Sequence, residues 1–243
     1  MITVEQKKLI LEGATTWFEE VIVKNHIENT QKLANPKELN INPFLVSYLA
    51  QFAYGEVTAQ TLARALIVPR IMSTSINTSF GQNMQQFMTD VLGPVFGSMI
   101  PGLDIEFTDA VDGRKKFCQV KLGPNTINKD DVTTIHQHFD ASKRLAKQNS
   151  LVVGLEDFVV GIGYGTTSEI SGHYKRLRDD YHYALYVGQE FWYRLTGDTT
   201  FYADLIWAMA SAANNAESQK IIEETITELA SSKTIQGILE GRF

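Results

Sequence analysis

The chain has 243 residues, a mass of 27.3 kDa and a formal net charge of -6. With 44% hydrophobic and 21% charged residues, it has the composition of a globular protein rather than a disordered or fibrous one. A single cysteine excludes a disulfide framework and a cysteine-rich zinc site. No apolar run approaches the roughly 20 residues of a membrane helix, and the N-terminus lacks the apolar stretch of a signal peptide. We therefore expect a cytoplasmic protein without a membrane partner.

Basic residues are unevenly distributed along the chain. Residues 101–180 contain 11 of the 22 lysines and arginines, whereas residues 71–100 contain none. An acidic total argues against an obligate nucleic-acid binder, but a local basic surface can still attract a polyanion. The charge pattern therefore leaves a nucleic-acid partner open.

Helical periodicity dominates the first 100 residues. Apolar positions recur at helical spacing over residues 4–33, and two Asn-Pro pairs then interrupt the pattern. Further helices are predicted over residues 44–54, 57–66 and 79–92, the last with Ser79 as its N-cap. Residues 1–100 are thus expected to form a mainly helical N-terminal part.

After residue 100 the apolar period changes from that of a helix to that of a strand. Alternation on either side of Asp112-Gly113 predicts a β-hairpin over residues 103–122, and a helix is predicted over 130–148. The remaining predicted strands cover 150–153, 158–162 and 181–187, and the remaining predicted helices cover 189–195, 202–213 and 217–230. Since no linker is visible, the sequence predicts one α/β domain over residues 1–243, with its α/β core at 101–190 and a helical C-terminal part at 191–243.

Polar side chains gather on one face of the predicted hairpin. A two-residue loop at Asp112-Gly113 would place Glu106 opposite Gln119 and Asp104 opposite Lys121. Because side chains alternate along a strand, these four share one face, and the other face is apolar. Oxygen donors of this kind suit a hard cation such as Mg²⁺, and an adjacent lysine can orient or deprotonate a metal-bound water. The pattern by itself leaves open both metal-assisted hydrolysis and its alternative, a plain solvated face.

The same residues resemble a known motif. Asp104 followed by Gln119-Val120-Lys121 is similar to the PD-(D/E)xK nuclease motif, and residues 121–128 resemble the loop that follows this motif in type II restriction endonucleases, especially those that read GGNCC-type sites. Further similar segments are Ile41–Phe44, Thr78–Gly81, Val159–Gly161 and Gly188–Trp192. The resemblance implies a restriction-endonuclease-like α/β core, a mixed central sheet flanked by helices.

The resemblance also implies an activity. A type II restriction endonuclease hydrolyses phosphodiester bonds in double-stranded DNA, here expected at a short palindromic site containing GG/CC. The implied cofactor is Mg²⁺, with Mn²⁺ as a substitute, held by Asp104, Gln119, Val120 and Glu106. The implied assembly is a homodimer, because a two-fold DNA site is most simply met by a two-fold protein, and the implied location is the cytoplasm of a prokaryotic cell.

Two departures from the family pattern lower the negative charge of the implied site. The acid of the motif is Gln119 here, and the position matching a glutamate on the preceding helix is Gln86. The implied catalytic residues are thus Asp104, Gln119, Lys121, Glu106 and Gln86. The departures leave a second hypothesis open, a DNA-binding relative that has lost its catalytic activity.

Three polar segments near the hairpin are predicted to contact DNA. The residues are Lys115, Lys116, Asn125, Thr126, Asn128, Lys175, Arg176 and Arg178. The alternatives are that the asparagines only cap the helix that follows and that the basic cluster is a solvated turn. The segment Gly161–Gly165 lacks the full spacing of a dinucleotide loop, so a small-molecule enzyme is the weakest hypothesis.

Overall fold

The computed structural model describes residues 1–150, 152–212 and 216–242. Its strands are β1 (Ile105–Thr108), β2 (Lys115–Lys121), β3 (Phe158–Ile162) and β4 (Ala184–Val187). Its α-helices are α1 (Val4–Trp17), α2 (Lys24–Lys32), α3 (Pro43–Tyr54), α4 (Ala59–Arg70), α5 (Ile76–Gln82), α6 (Met84–Phe87), α7 (Gly93–Phe96), α8 (Lys129–Gln148), α9 (Gly172–Asp179), α10 (Gln189–Thr196), α11 (Phe201–Ser211), α12 (Ala216–Ala230) and α13 (Lys233–Leu239). None of the described helices is long and apolar enough to cross a membrane.

Local sequence signals explain where several helices begin. Asn42 caps α3 by accepting a hydrogen bond from the Phe44 N–H, and Pro43 occupies the first helical position, where its missing N–H costs nothing. Thr58 and Thr61 form a reciprocal capping box at the start of α4. The predicted cap at Ser79 is wrong, because Ser79 lies inside α5.

The four strands form a mixed sheet in the order β1-β2-β3-β4. β1 pairs with β2 as an antiparallel hairpin, and β2, β3 and β4 run parallel. The two parallel connections contain α8 and α9, as parallel strands require. A mixed α/β fold with a helix-flanked sheet, as expected from the sequence, is thereby confirmed.

Both faces of the sheet are covered. On one face, Phe117, Val160 and Ile162 pack with side chains of α8 and α9, among them Phe139 and Leu177. On the other face, α10 approaches so closely that a Cβ on Gly161 would collide with the ring of Phe191. Glycine at this strand position is therefore a packing requirement.

The chain divides into two compact units. The sheet unit comprises Met1–Trp17 and Met84–Met209, and the helical unit comprises Phe18–Asn83 and Ala210–Phe243. In the helical unit, residues of α4 and α12 form a buried apolar core that includes Leu62 and Ile226. One face of α3 remains apolar and exposed, with Phe44 90% and Phe52 77% accessible.

The structure corrects the predicted hairpin register. Ile105 pairs with Cys118 and Thr108 with Lys115, so each pair is shifted by two residues from the prediction and the loop is four residues long. The shift preserves which side chains share a face, but it moves them along the strand. Glu106 consequently lies opposite Phe117 rather than Gln119.

Three further sequence expectations differ from the structure or extend beyond the described residues. Val152 and Val153 belong to no strand, contrary to the strand predicted over residues 150–153, while Leu151 lies outside the described residues. The end of the helix predicted over residues 202–213 also lies outside them at Ala213. The basic cluster of residues 174–178 forms α9 rather than a turn.

Candidate active site at the end of the hairpin

Asp104 directly precedes β1 and forms hydrogen bonds with two residues of the neighbouring strand, β2. Its N–H donates to the Cys118 carbonyl (3.0 Å), and its Oδ2 accepts from the N–H of Val120 (2.7 Å). Burial raises the pKa of the Asp104 carboxyl, while the Val120 N–H, Gln85 and the positive charge of Lys121 act in the opposite direction. The carboxylate is therefore held rigidly in a place where its negative charge is only partly compensated.

Gln119 lies beside Asp104 on β2 and is 6% exposed. Its side-chain Nε2 donates to the carbonyl oxygen of Gly102 and lies 2.6 Å from Nδ1 of His138 on α8. Gln119 is thus connected both to the loop before β1 and to the helix that covers the sheet.

Lys121 is the last residue of β2. Its side chain is 30% exposed, and its Nζ lies 3.9 Å from Oδ1 of Asp131 in the first turn of α8. At that distance the ion pair is loose, so the ammonium group is still available to a ligand.

Asp104, Gln119 and Lys121 all line one cavity of about 320 Å³. The structure thus brings together the three residues at the centre of the predicted motif. The other residues that line this cavity are Gln85, Gly102, Leu103, Val120, Asp131, Thr134, Ile135 and His138.

The oxygen donors of the cavity are suited to a hard divalent cation. They are the Asp104 carboxylate, the side-chain oxygen of Gln119 and the Val120 carbonyl, which leaves β2 on the same side as the Val120 N–H. Within the described ranges, no three His, Cys, Asp or Glu side chains converge as a metal cluster. Because Mg²⁺ needs only one or two carboxylates and keeps several waters, this donor set fits it, with less charge than a site with two acids.

Two predicted site residues lie outside the cavity. Glu106 accepts a hydrogen bond from Ser98 (2.6 Å) and pairs with Lys115 (2.6 Å), and it lines a different cleft. Its displacement follows from the shifted register. Gln86 is exposed, and Gln85 lines the cavity instead, because neighbouring helical residues point about 100° apart.

The residues predicted to contact DNA occupy different environments. Lys116 is fully buried and paired with Asp112 (2.6 Å), so the structure removes it from the predicted DNA-contacting surface. Lys115 is exposed but paired with Glu106. On α9, Lys175, Arg176 and Arg178 are exposed, and their DNA contact stays a prediction.

The loop after Lys121 has structural roles of its own. Asn128 caps α8 by accepting from the N–H groups of Asp130 (2.7 Å) and Asp131 (3.0 Å), which confirms the capping alternative. Thr126 donates to the Gly123 carbonyl (2.9 Å), and Asn125 is exposed. Contact of Asn125, Thr126 and Asn128 with DNA stays a prediction.

The sequence pattern did not identify His138 and Gln85 as neighbours of the motif. His138 is only partly exposed and contacts Gln119. Nineteen residues and a change from strand to helix separate the two, so no local spacing signals the contact.

A sequence model of the type II restriction endonuclease EcoO109I family matches residues 15–217. This range covers most of the chain and includes the whole hairpin. The chain belongs to the EcoO109I family of type II restriction endonucleases. Family membership makes it a nuclease with DNA as its substrate. No curated protein matches the chain.

Proposed function

We propose that the chain hydrolyses phosphodiester bonds in duplex DNA at a short palindromic site containing GG/CC, with Mg²⁺ as cofactor and Mn²⁺ as a substitute. The observation that carries this proposal is the convergence of Asp104, Gln119 and Lys121 on one cavity at the end of β2. Family membership supports the reaction class. The cytoplasm of a prokaryotic cell is the proposed location.

The proposed roles follow from the donor atoms. Asp104, Gln119 and the Val120 carbonyl hold the cation. The bound cation supplies charge neutralisation at the scissile phosphate and a more acidic water. Lys121 orients the attacking water or accepts its proton, and its ammonium form stabilises the negative charge on the phosphoryl oxygens. Its loose pairing with Asp131 keeps it close to the cavity without blocking it.

Cleavage of supercoiled plasmid DNA tests the reaction. We expect discrete fragments with Mg²⁺ or Mn²⁺, none with EDTA, and a loss of about 10²- to 10⁴-fold in the Lys121→Ala variant. Lys8→Ala is the matched control, because Lys8 is 73% exposed on α1 of the same unit. Fragments that survive EDTA, or that Lys121→Ala produces at the wild-type rate, would contradict the proposed chemistry.

The second candidate function is DNA binding without cleavage. It is favoured by Gln119, which leaves Asp104 as the single carboxylate among the proposed cation ligands. It predicts salt-dependent binding to DNA and no cleavage with either metal. Under this alternative, Gln119→Glu restores the second acid and is expected to produce cleavage.

The proposed assembly is a homodimer in which each copy cuts one strand of a two-fold site. The exposed apolar face of α3 is one surface that a second copy would cover, since apolar patches of this kind are typical of association sites. Sedimentation equilibrium is expected to give twice the chain mass. A monomer at micromolar concentration, alone and with DNA, would contradict the proposal.

A further inference from the structure

The Gln119 side chain raises a geometric problem that a glutamate would not. A carboxylate presents two equivalent oxygens, so either one can face a cation. An amide presents one oxygen and one NH₂ group, and only the oxygen can be a ligand. If Gln119 replaces the acid of the motif, something has to hold its amide in the correct one of two orientations.

Two acceptors hold the nitrogen of this amide. Nε2 donates to the backbone carbonyl of Gly102 and also contacts Nδ1 of His138 at 2.6 Å. An NH₂ group has two hydrogens, so these two partners use both of them. The Gly102 carbonyl can only accept, and rotating the amide by 180° would bring two oxygens together there. The orientation is thus fixed by chemistry.

The side-chain oxygen of Gln119 remains available on the side of the cavity. None of the hydrogen bonds among the described residues ends on the side-chain oxygen of Gln119, while the residue lines the cavity beside Asp104. The two N–H bonds of the amide point towards Gly102 and His138, so the side-chain oxygen is the atom that remains available to a ligand.

Gly102 and His138 are also packed against each other. The backbone of Gly102 has a positive φ of 84°, and a Cβ there would lie 2.6 Å from Cγ of the His138 ring. A glycine therefore satisfies both the backbone conformation and the close approach of the ring. The loop, the helix and Gln119 form one arrangement with little freedom to shift.

We infer that His138 is a positioning residue that, with the Gly102 carbonyl, holds the Gln119 amide so that its oxygen faces the cation beside Asp104. This inference rests on the proposed function, because it concerns the same cation site. It assigns to α8 a role in the site that depends on the presence of glutamine at position 119. Outer partners of metal ligands typically change metal affinity by about 10- to 100-fold when removed.

The test measures Mn²⁺ binding by calorimetry in the full-length protein, without DNA, together with kcat and KM for plasmid cleavage. We expect His138→Ala to weaken Mn²⁺ binding by about tenfold and to lower kcat more than it raises KM. His138→Asn is expected to stay within about threefold of wild type, because its side-chain oxygen can accept in the place of Nδ1. Thermal unfolding of each variant verifies that it is folded.

A double-mutant cycle isolates the orienting role. In a Gln119→Glu background the side chain presents two equivalent oxygens, so no orientation has to be selected. Adding His138→Ala to this background is therefore expected to change Mn²⁺ affinity by less than about twofold. His136→Ala is the matched control on the same helix, because His136 contacts Tyr183 (2.8 Å) and not Gln119. It is expected to bind Mn²⁺ like the wild type.

The outcomes separate this inference from the proposed function. Wild-type Mn²⁺ affinity in His138→Ala, or an equal loss in the Gln119→Glu background, would overturn the positioning role and leave the proposed function intact. A wild-type protein that neither binds Mn²⁺ nor cuts DNA would overturn both. Loss in His138→Ala, rescue by His138→Asn and no loss in the Gln119→Glu background together support the inference.

Discussion

The two ends of strand β2 carry charged side chains that differ in how completely they are paired. At the hairpin end, Lys116 is fully buried, and its Nζ contacts Asp112 at 2.6 Å, the Glu156 carbonyl at 3.2 Å and Asp157 at 3.5 Å. Arg114 pairs with Glu156 and Asp157, each at 2.6 Å. These charges compensate one another within the protein.

At the other end of β2 the charges are left partly uncompensated. Asp104 accepts a hydrogen bond from a backbone N–H, and Lys121 makes only a 3.9 Å contact with Asp131. Burial raises the pKa of Asp104, whereas at the hairpin end burial is outweighed by the combined hydrogen bonds and positive charges of Lys116 and Arg114, which lower the pKa of Asp112. A cluster of charges thus indicates a ligand site only where its members do not already compensate one another.

The largest effect is expected at the cavity end. Asp104→Asn removes the only carboxylate of the proposed ligand set, so we expect plasmid cleavage to fall by at least about 10²-fold. The fold should tolerate the change, because burial disfavours the ionised form of Asp104 and asparagine carries no charge. Cleavage rates and urea denaturation measure the two quantities. Full activity in the variant would remove Asp104 from the site.

The opposite pattern is expected at the hairpin end. Asp157→Ala leaves the buried Lys116 ammonium with fewer acceptors, and it removes the acceptor of the Gly154 N–H (2.8 Å). We expect the free energy of unfolding to fall by about 3 kcal/mol, because breaking a buried pair leaves a charge without compensation. Cleavage below the unfolding transition should remain near wild type. A marked loss of cleavage by the folded variant would contradict the proposed contrast, in which the hairpin end contributes to stability and the cavity end to cleavage.

Glu106 tests the boundary between the two ends. It lies outside the cavity and is held by Ser98 and Lys115, so Glu106→Gln should change cleavage by less than about twofold. Loss of the hydrogen-bonded ion pair is expected to cost about 1 kcal/mol of stability. A strong loss of cleavage with unchanged stability would place Glu106 back among the cation ligands.

The smallest effect is a difference of sign in the pH dependence of stability, measured in EDTA. The folded pKa of Asp112 is lowered, so its stabilisation is present above the unfolded pKa of about 3.9 and is lost as pH falls through the folded pKa. The folded pKa of Asp104 is raised, so its ionisation removes stability as pH rises from about 3.9 through the folded pKa.

Relative to wild type, Asp112→Asn should therefore become less stable as pH rises from 3 to 7, and Asp104→Asn should become more stable. Urea denaturation at several pH values measures both differences. The same sign for both variants would contradict the electrostatic contrast between the two ends of β2.

Short-range patterns account for much of what was predicted. The alternating strands around Asp112-Gly113 predict the hairpin, and the apolar run at 158–162 predicts β3. The identity of the three cavity residues also follows from the sequence, because the face shared by Asp104, Gln119 and Lys121 depends only on strand alternation. A register error of two residues leaves that face unchanged.

The register itself depends on residues far away in the chain. The Asp109 carboxylate accepts hydrogen bonds from Tyr186 on β4 (3.0 Å), from Arg194 on α10 (2.9 Å) and from the Val111 N–H (2.8 Å). These contacts keep Asp109 at the base of the loop and widen it to four residues. A two-residue turn signal contains no information about β4 or α10.

The sequence by itself determined the hairpin, β3, β4, most of the helices and the three polar residues that share one strand face, because these follow from local periodicity. Only the tertiary structure decided that Lys116 is buried and paired, that Glu106 lies outside the cavity, and that His138 reaches Gln119. Each of these depends on how a distant segment packs against β2. Burial and compensation of charge are set by that packing, so they separate a site from a structural ion cluster only once the chain has folded.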